Sequence, residues 1–128
     1  MLAVCGMRRA RYDLEDRLIR FGAAVCALCA RLPDTPPGKT AAVQLSRSAT
    51  SPFANYGELQ SAESRRDFIH KLQLCLKELK ESRTWLKFIR QAGLLPEADV
   101  RIHLDECEEL IAILGASTRT ARNNVNAQ

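Results

Sequence analysis

Aromatic side chains are scarce in this chain: one Trp, two Tyr and four Phe in 128 residues. Single-strand platforms stack successive bases on aromatic rings, and no segment here interleaves rings with basic residues in that way. Histidine is scarcer still, with only His70 and His103. The six glycines are scattered and build no Gly-rich phosphate loop. The longest apolar run, Phe21 to Ala30, is about half of the roughly 20 residues a membrane span requires, which predicts no membrane helix. The five cysteines, Cys5, Cys26, Cys29, Cys75 and Cys107, are odd in number and irregular in spacing. No secretory leader precedes them, since Arg8, Arg9 and Arg11 follow only a short opening stretch, and Met7 is an alternative start. The expectation is a cytoplasmic protein with free thiols.

What the chain does have is helical periodicity. Its length suits one domain able to bury a core without metals or disulfides. Its apolar content of 46% comes mainly from Leu, Ala, Ile, Val and Cys. Residues 1–12 read as a basic N-terminal arm. From Asp13 a first helix carries Leu14, Leu18, Phe21, Val25, Leu28 and Leu32 at steps of three and four. Pro33 ends it, and Asp34 to Gly38 is a loop. Helix two spans Lys39 to Gln60 with Ala42, Leu45, Ala49, Phe53, Tyr56 and Leu59 inward. Pro52 lies inside it, and its missing donor predicts a kink or break near Ser48 to Ser51. Ser64 and Asp67 form the signature of a capping box for helix three, whose stripe is Phe68, Leu72, Cys75, Leu79, Ser82, Leu86 and Ile89. Gly93 closes that helix and Pro96 opens helix four, with Val100, Leu104, Cys107, Ile111 and Leu114 inward. Residues 119–128 read as a flexible polar tail. The fold class is all-α: an up-down-up-down antiparallel four-helix bundle over residues 13–118, kinked in helix two near Pro52.

Charge is unevenly placed around a net of +4. Residues 96–118 set a single Arg101 against Glu97, Asp99, Asp105, Glu106, Glu108 and Glu109, so helix four is acidic while the other elements are basic. The candidate phosphate contacts are Arg47, Arg65, Arg66, Lys71, Lys77, Lys80, Lys87 and Arg90. Basic side chains on a helix face track a nucleic-acid backbone through charge alone, though the same residues also serve as ordinary solubilising charges.

Other patterns argue against catalysis. Cys26 and Cys29 form a C-x-x-C in mid-helix, without the preceding strand and helix N-terminus a redox pair needs, so they read as small packing residues. Asp67 and His70 have the carboxylate-x-x-His spacing of di-iron bundles, but His103 has Val100 where the second carboxylate belongs. No metal site, no cofactor and no catalytic group is expected. A polar line on helix two, Gln44, Ser48, Ser51, Asn55 and Glu58, faces either solvent or helix three through Glu78, Glu81 or Arg83. It reads either as a structural seam or as a ligand or subunit contact, and the structural seam is favoured. On helix one, Phe21 to Ala30 has no polar side chain on any face. A helix apolar all round is normally covered all round, so Gly22, Ala23, Ala27 and Ala30 are the candidate surface for a second copy. Small exposed alanines are also common on surfaces.

The segment QLSRSATSPFANYGELQSAESRRDFIHKLQLCLKELKESRTWLKFIRQAGLL, from Gln44 to Leu95, together with the DLEDRL start of helix one, resembles the four-helix bundle proteins encoded inside intervening sequences of bacterial 23S ribosomal RNA genes. The resemblance covers roughly residues 13–115. It implies a homo-oligomer, with pentamers known among similar members, and no established activity. A related group, accessory proteins of diversity-generating retroelements, binds a reverse transcriptase and nucleic acid. Pro52 departs from the aliphatic residue often found at its position. The expected function is a non-enzymatic oligomeric binding scaffold with RNA or DNA as partner. The alternative is a scaffold that binds protein alone.

Overall fold

The computed structural model describes the backbone of residues 2–126 and the side chains of residues 13–124. Four helices follow in order: α1 (Leu2–Cys29), α2 (Pro36–Gly57), α3 (Arg65–Gln91) and α4 (Glu97–Asn126). A 3-10 turn, Leu59–Ser61, leads from α2 toward α3. No strand occurs among the described residues. Short links make successive helices antiparallel neighbours, α1 on α2, α2 on α3 and α3 on α4. The α1–α4 contact is the loosest of the four seams.

The helix ends follow their capping chemistry. Thr35 caps α2, accepting from the Gly38 amide at 3.2 Å, with Pro36 at the first helical position where no donor is needed. The helix therefore starts three residues before the expected Lys39. Ser64 accepts from the Asp67 amide at 3.0 Å. In return the Asp67 carboxylate accepts from the Glu63 amide, also at 3.0 Å, one residue earlier than in the usual capping box. Gly93, at φ 65, ends α3, with bonds from Gly93 N to Arg90 O and from Leu94 N to Ile89 O that absorb two terminal carbonyls. Pro96 stands just outside α4, where its carbonyl accepts from Asp99 and Val100.

Three expectations change. Helical backbone begins at Leu2 rather than near Asp13, across an opening stretch that holds no proline to interrupt it. Helical backbone also continues to Asn126, and Ala121 on the expected tail is buried against the core. Finally, α2 runs through Pro52 without a break. Pro52 is itself fully buried, and its carbonyl accepts the Cys75 thiol at 3.3 Å.

The inward stripes meet in one core. Leu18, Leu45, Leu79, Leu86, Ile89, Leu110 and Leu114 are fully enclosed. Each such side chain contributes roughly 1.5–3 kcal/mol on burial. Exposed ion pairs contribute at most about 1 kcal/mol each, so packing holds this bundle and charge pairs trim its seams. Gly22 lets α1 and α2 approach closely: a Cβ there would lie 2.8 Å from Phe53 Cε2 and 2.9 Å from the Ala49 carbonyl oxygen.

Candidate nucleic-acid interface

The outer face of α3 is set by the core it leaves behind. Leu72, Cys75, Leu79, Ser82, Leu86 and Ile89 point inward. The opposite line runs Arg66, His70, Gln73, Lys77, Lys80, Thr84, Lys87 and Gln91, again at steps of four and three. It contains no carboxylate. Arg66, Lys77, Lys80 and Lys87 are exposed and form no ion pair among the described residues.

The other candidate cations divide into two groups. Arg47 is held by Glu81 and, at 3.0 Å, by Glu78, and those carboxylates keep its guanidinium more firmly protonated. Lys71 reaches Glu58 at 3.2 Å. Both therefore brace α2 against the α3 side of the bundle. Arg65 and Arg90 stay exposed at the two ends of α3, off the central line. Sequence reasoning missed Arg119 and Arg122, which it assigned to a tail. The signal was present in Thr118 to Arg122, which continues the α4 register without a Gly or Pro.

The acidic helix is less free than its composition suggests. Arg17 of α1 spans to α4, donating to Glu106 at 2.8 and 2.7 Å and reaching Glu109 at 2.9 Å. The Glu106 hydrogen bonds raise the Arg17 pKa further above its ordinary value, against the opposing effect of burial. Arg83 pairs with Glu108 at 3.2 Å and Arg31 with Asp99 at 2.7 Å. Much of the negative charge on α4 thus faces arginines of the same chain.

The polar line of α2 is placed against α3 in its middle and opens to solvent at its ends. Ser48 is fully enclosed and meets Ser82. Ser51 and Asn55 are half-buried and bonded to each other at 3.0 Å. Glu58 is exposed, and Glu78 is half-buried against Arg47. Arg83 turns to α4 instead. Every buried side-chain nitrogen and oxygen among the described residues has a partner, so no orphaned group points to a missing ligand.

The described cysteines, Cys26, Cys29, Cys75 and Cys107, are free thiols. Burial pushes Cys75 and Cys107 up to about 12, and it also raises Cys29, against a smaller lowering by Ser46. Groups raised in this way are poor nucleophiles. Cys5 lies outside the described side chains. Burial lowers the His103 pKa, with Asp99 opposing and Arg31 reinforcing the effect. No three His, Cys, Asp or Glu among the described residues gather as metal ligands. No helix among them is long and apolar enough to cross a membrane.

Ala23 and Ala27 of α1 and Ala30 just past its end are exposed, with Ala24 beside them and Ile19 at 44% exposure. Gly22 is a correction to the expected contact surface: it is buried against Phe53 inside the subunit.

The family model for 23S rRNA-intervening sequence protein matches residues 11–116. The crystal structure of a protein of unknown function from the S23 ribosomal protein family of Bacteroides thetaiotaomicron is similar, with a TM-score of 0.75 and 26% identity. The match covers 85% of this chain and 97% of that one. No curated protein matches.

Proposed function

We propose, from the premise that this chain belongs to the 23S rRNA-intervening sequence protein family, that it is a non-enzymatic binding subunit. In this reading it holds a nucleic-acid backbone on the outer face of α3 and joins further copies of itself, in a closed ring such as a pentamer, through the outer face of α1. The carrying observation is the α3 line of Arg66, Lys77, Lys80 and Lys87, cationic along its length and free of carboxylates. Arg17, Arg31, Arg47 and Arg83 meet carboxylates of their own chain, whereas these four cations meet none among the described residues. The exposed apolar strip of Ile19, Ala23, Ala27 and Ala30 supports self-association, since it is small enough for another helix to approach closely. Buried, weakly acidic thiols fit a reducing cytoplasmic setting.

The alternative, a scaffold that binds protein alone through acidic α4, has less support. Glu106, Glu108 and Asp99 are already paired within the chain. The deciding experiment is equilibrium binding of a labelled RNA or DNA to the wild type and to the triple variant Lys77→Gln, Lys80→Gln, Lys87→Gln. The wild type is expected to bind, with affinity falling steeply as salt rises, and the variant to lose at least tenfold. Binding that ignores salt, or a variant equal to the wild type, overturns the reading.

A further inference from the structure

Where α3 meets the last turns of α4, two adjoining hollows of about 340 and 420 Å³ share Leu76, Lys80, Thr118 and Arg122 as walls. Arg119 completes one and Lys77 with Gln73 the other. We propose that Lys77, Lys80, Arg119 and Arg122 hold successive backbone phosphates of a nucleic-acid duplex across this α3–α4 seam. The inference rests on the reading of α3 as a nucleic-acid face and narrows it to a place, a set of residues and a form of nucleic acid.

No carboxylate lines either hollow. None of the four cations has an ion pair among the described residues, although Arg83, on the same seam, pairs with Glu108. Like charges around a concavity repel one another, and a bound anion removes that repulsion. The hydrogen-bonding surroundings of Gln73 assign its carboxamide oxygen to the Arg122 side, where it accepts from Nε at 3.2 Å. A neutral amide fixes the guanidinium plane without cancelling its charge, which leaves Arg122 oriented and still fully cationic. Ala112 and Gly115 keep the floor shallow, and the Arg119 guanidinium lies within van der Waals reach of the Gly115 position.

The helix dipole favours cations only in the last turn of a helix, and Arg119 and Arg122 lie before the last turn of α4 while Lys77 and Lys80 lie in the middle of α3. The length of the surface selects the ligand. The line continues along α3 from Arg66 to Lys87, a distance of about 32 Å at 1.5 Å per residue. That exceeds any single small anion and is close to the roughly 34 Å of one duplex turn. No aromatic ring lines either hollow, so nothing there stacks unpaired bases. Recognition is through phosphate and carries no sequence preference.

The test uses the full chain with a labelled mixed-sequence duplex of 20 base pairs, one of its strands alone, and inorganic triphosphate as competitor. The proteins are the wild type, Arg119→Gln/Arg122→Gln, and Ala112→Glu. The last variant adds a carboxylate at an exposed hollow position and removes no cation. The double variant is expected to lose at least tenfold in duplex affinity, and its plot of log affinity against log salt to become shallower by about 2. Ala112→Glu is expected to weaken binding as well, and circular dichroism to report wild-type helicity for both. Wild-type binding that both variants retain overturns the hollow and leaves the α3 reading standing. A wild type that binds no nucleic acid overturns both. Tenfold preference for the single strand overturns the duplex assignment, and displacement by micromolar triphosphate assigns the hollow to free polyphosphate instead.

Discussion

Ser48 of α2 and Ser82 of α3 touch inside the bundle, Oγ to Oγ at 2.9 Å, and neither exposes any surface to solvent. Ser48 donates onward to the Leu45 carbonyl at 3.3 Å, while the Ser82 hydroxyl also lies 3.0 Å from the Glu78 carbonyl. One Ser82 proton serves two acceptors, so it has an alternative when Ser48 is lost. Ser48→Ala and Ser82→Ala are each expected to cost about 0.5–1.5 kcal/mol. The double variant is expected to cost less than their sum, because the second change removes a group the first already left under-used. Denaturant titration of the four proteins measures this. Strict additivity would show that the two hydroxyls do not interact.

Gly22 predicts the opposite sign to helix propensity. In a free helix, Gly→Ala gains about 1 kcal/mol. Here the added methyl would fall 2.9 Å from the Ala49 carbonyl oxygen, which is backbone and cannot swing aside. Gly22→Ala is expected to destabilise by about 1–3 kcal/mol. A gain in thermal or denaturant stability would mean that α1 and α2 stand further apart than described.

The two enclosed thiols make stability depend on alkaline pH. Cys75 and Cys107 ionise at about 12 in the folded chain because burial disfavours the thiolate, whereas an unfolded thiol ionises near 8.5. The folded state therefore keeps protons the unfolded state releases. The contribution is complete below the unfolded value and is lost as pH rises toward the folded one, by about 1.4 kcal/mol per pH unit for each thiol. Cys75→Ala/Cys107→Ala is expected to flatten the stability profile between roughly pH 9 and 11, as followed by urea titration, while lowering its absolute level. A slope equal to that of the wild type would contradict the burial effect. At pH 8 the same two thiols are expected to resist alkylation in the native protein, and half-exposed Cys26 to react before them.

Much of the bundle was legible in the sequence because the apolar spacing and the caps agree. The six residues expected inward on the first helix are all buried or half-buried, although α1 ends at Cys29 and Leu32 lies in the turn beyond it; Ser64, Gly93 and Pro96 mark helix ends where they were expected. The extent of α1 and α4 was not legible. The opening stretch lacks helical periodicity and turns basic at Arg8, and residues 119–128 are largely polar; both patterns predict fraying, although no helix breaker follows Gly115. The cost was the two arginines on α4 that complete the α3–α4 hollows. Pairing was also hidden. Nothing in spacing alone distinguishes Arg47, committed to Glu78 and Glu81, from Lys77, which has no carboxylate. Gly22 read as part of an outer face because Phe21 to Ala30 is apolar all round, and only the packing on Phe53 separates its inner side from its outer one.

Native mass spectrometry of the full chain, with and without a 20-base-pair duplex, tests self-association and nucleic-acid binding together. The subunit mass is 14.3 kDa. The account predicts a closed multiple of that mass without duplex and the same multiple carrying duplex when it is added. Ala23→Glu/Ala27→Glu, at two exposed α1 positions, is expected to give folded single subunits. A wild type that stays at the single-subunit mass and takes up no duplex would contradict the account.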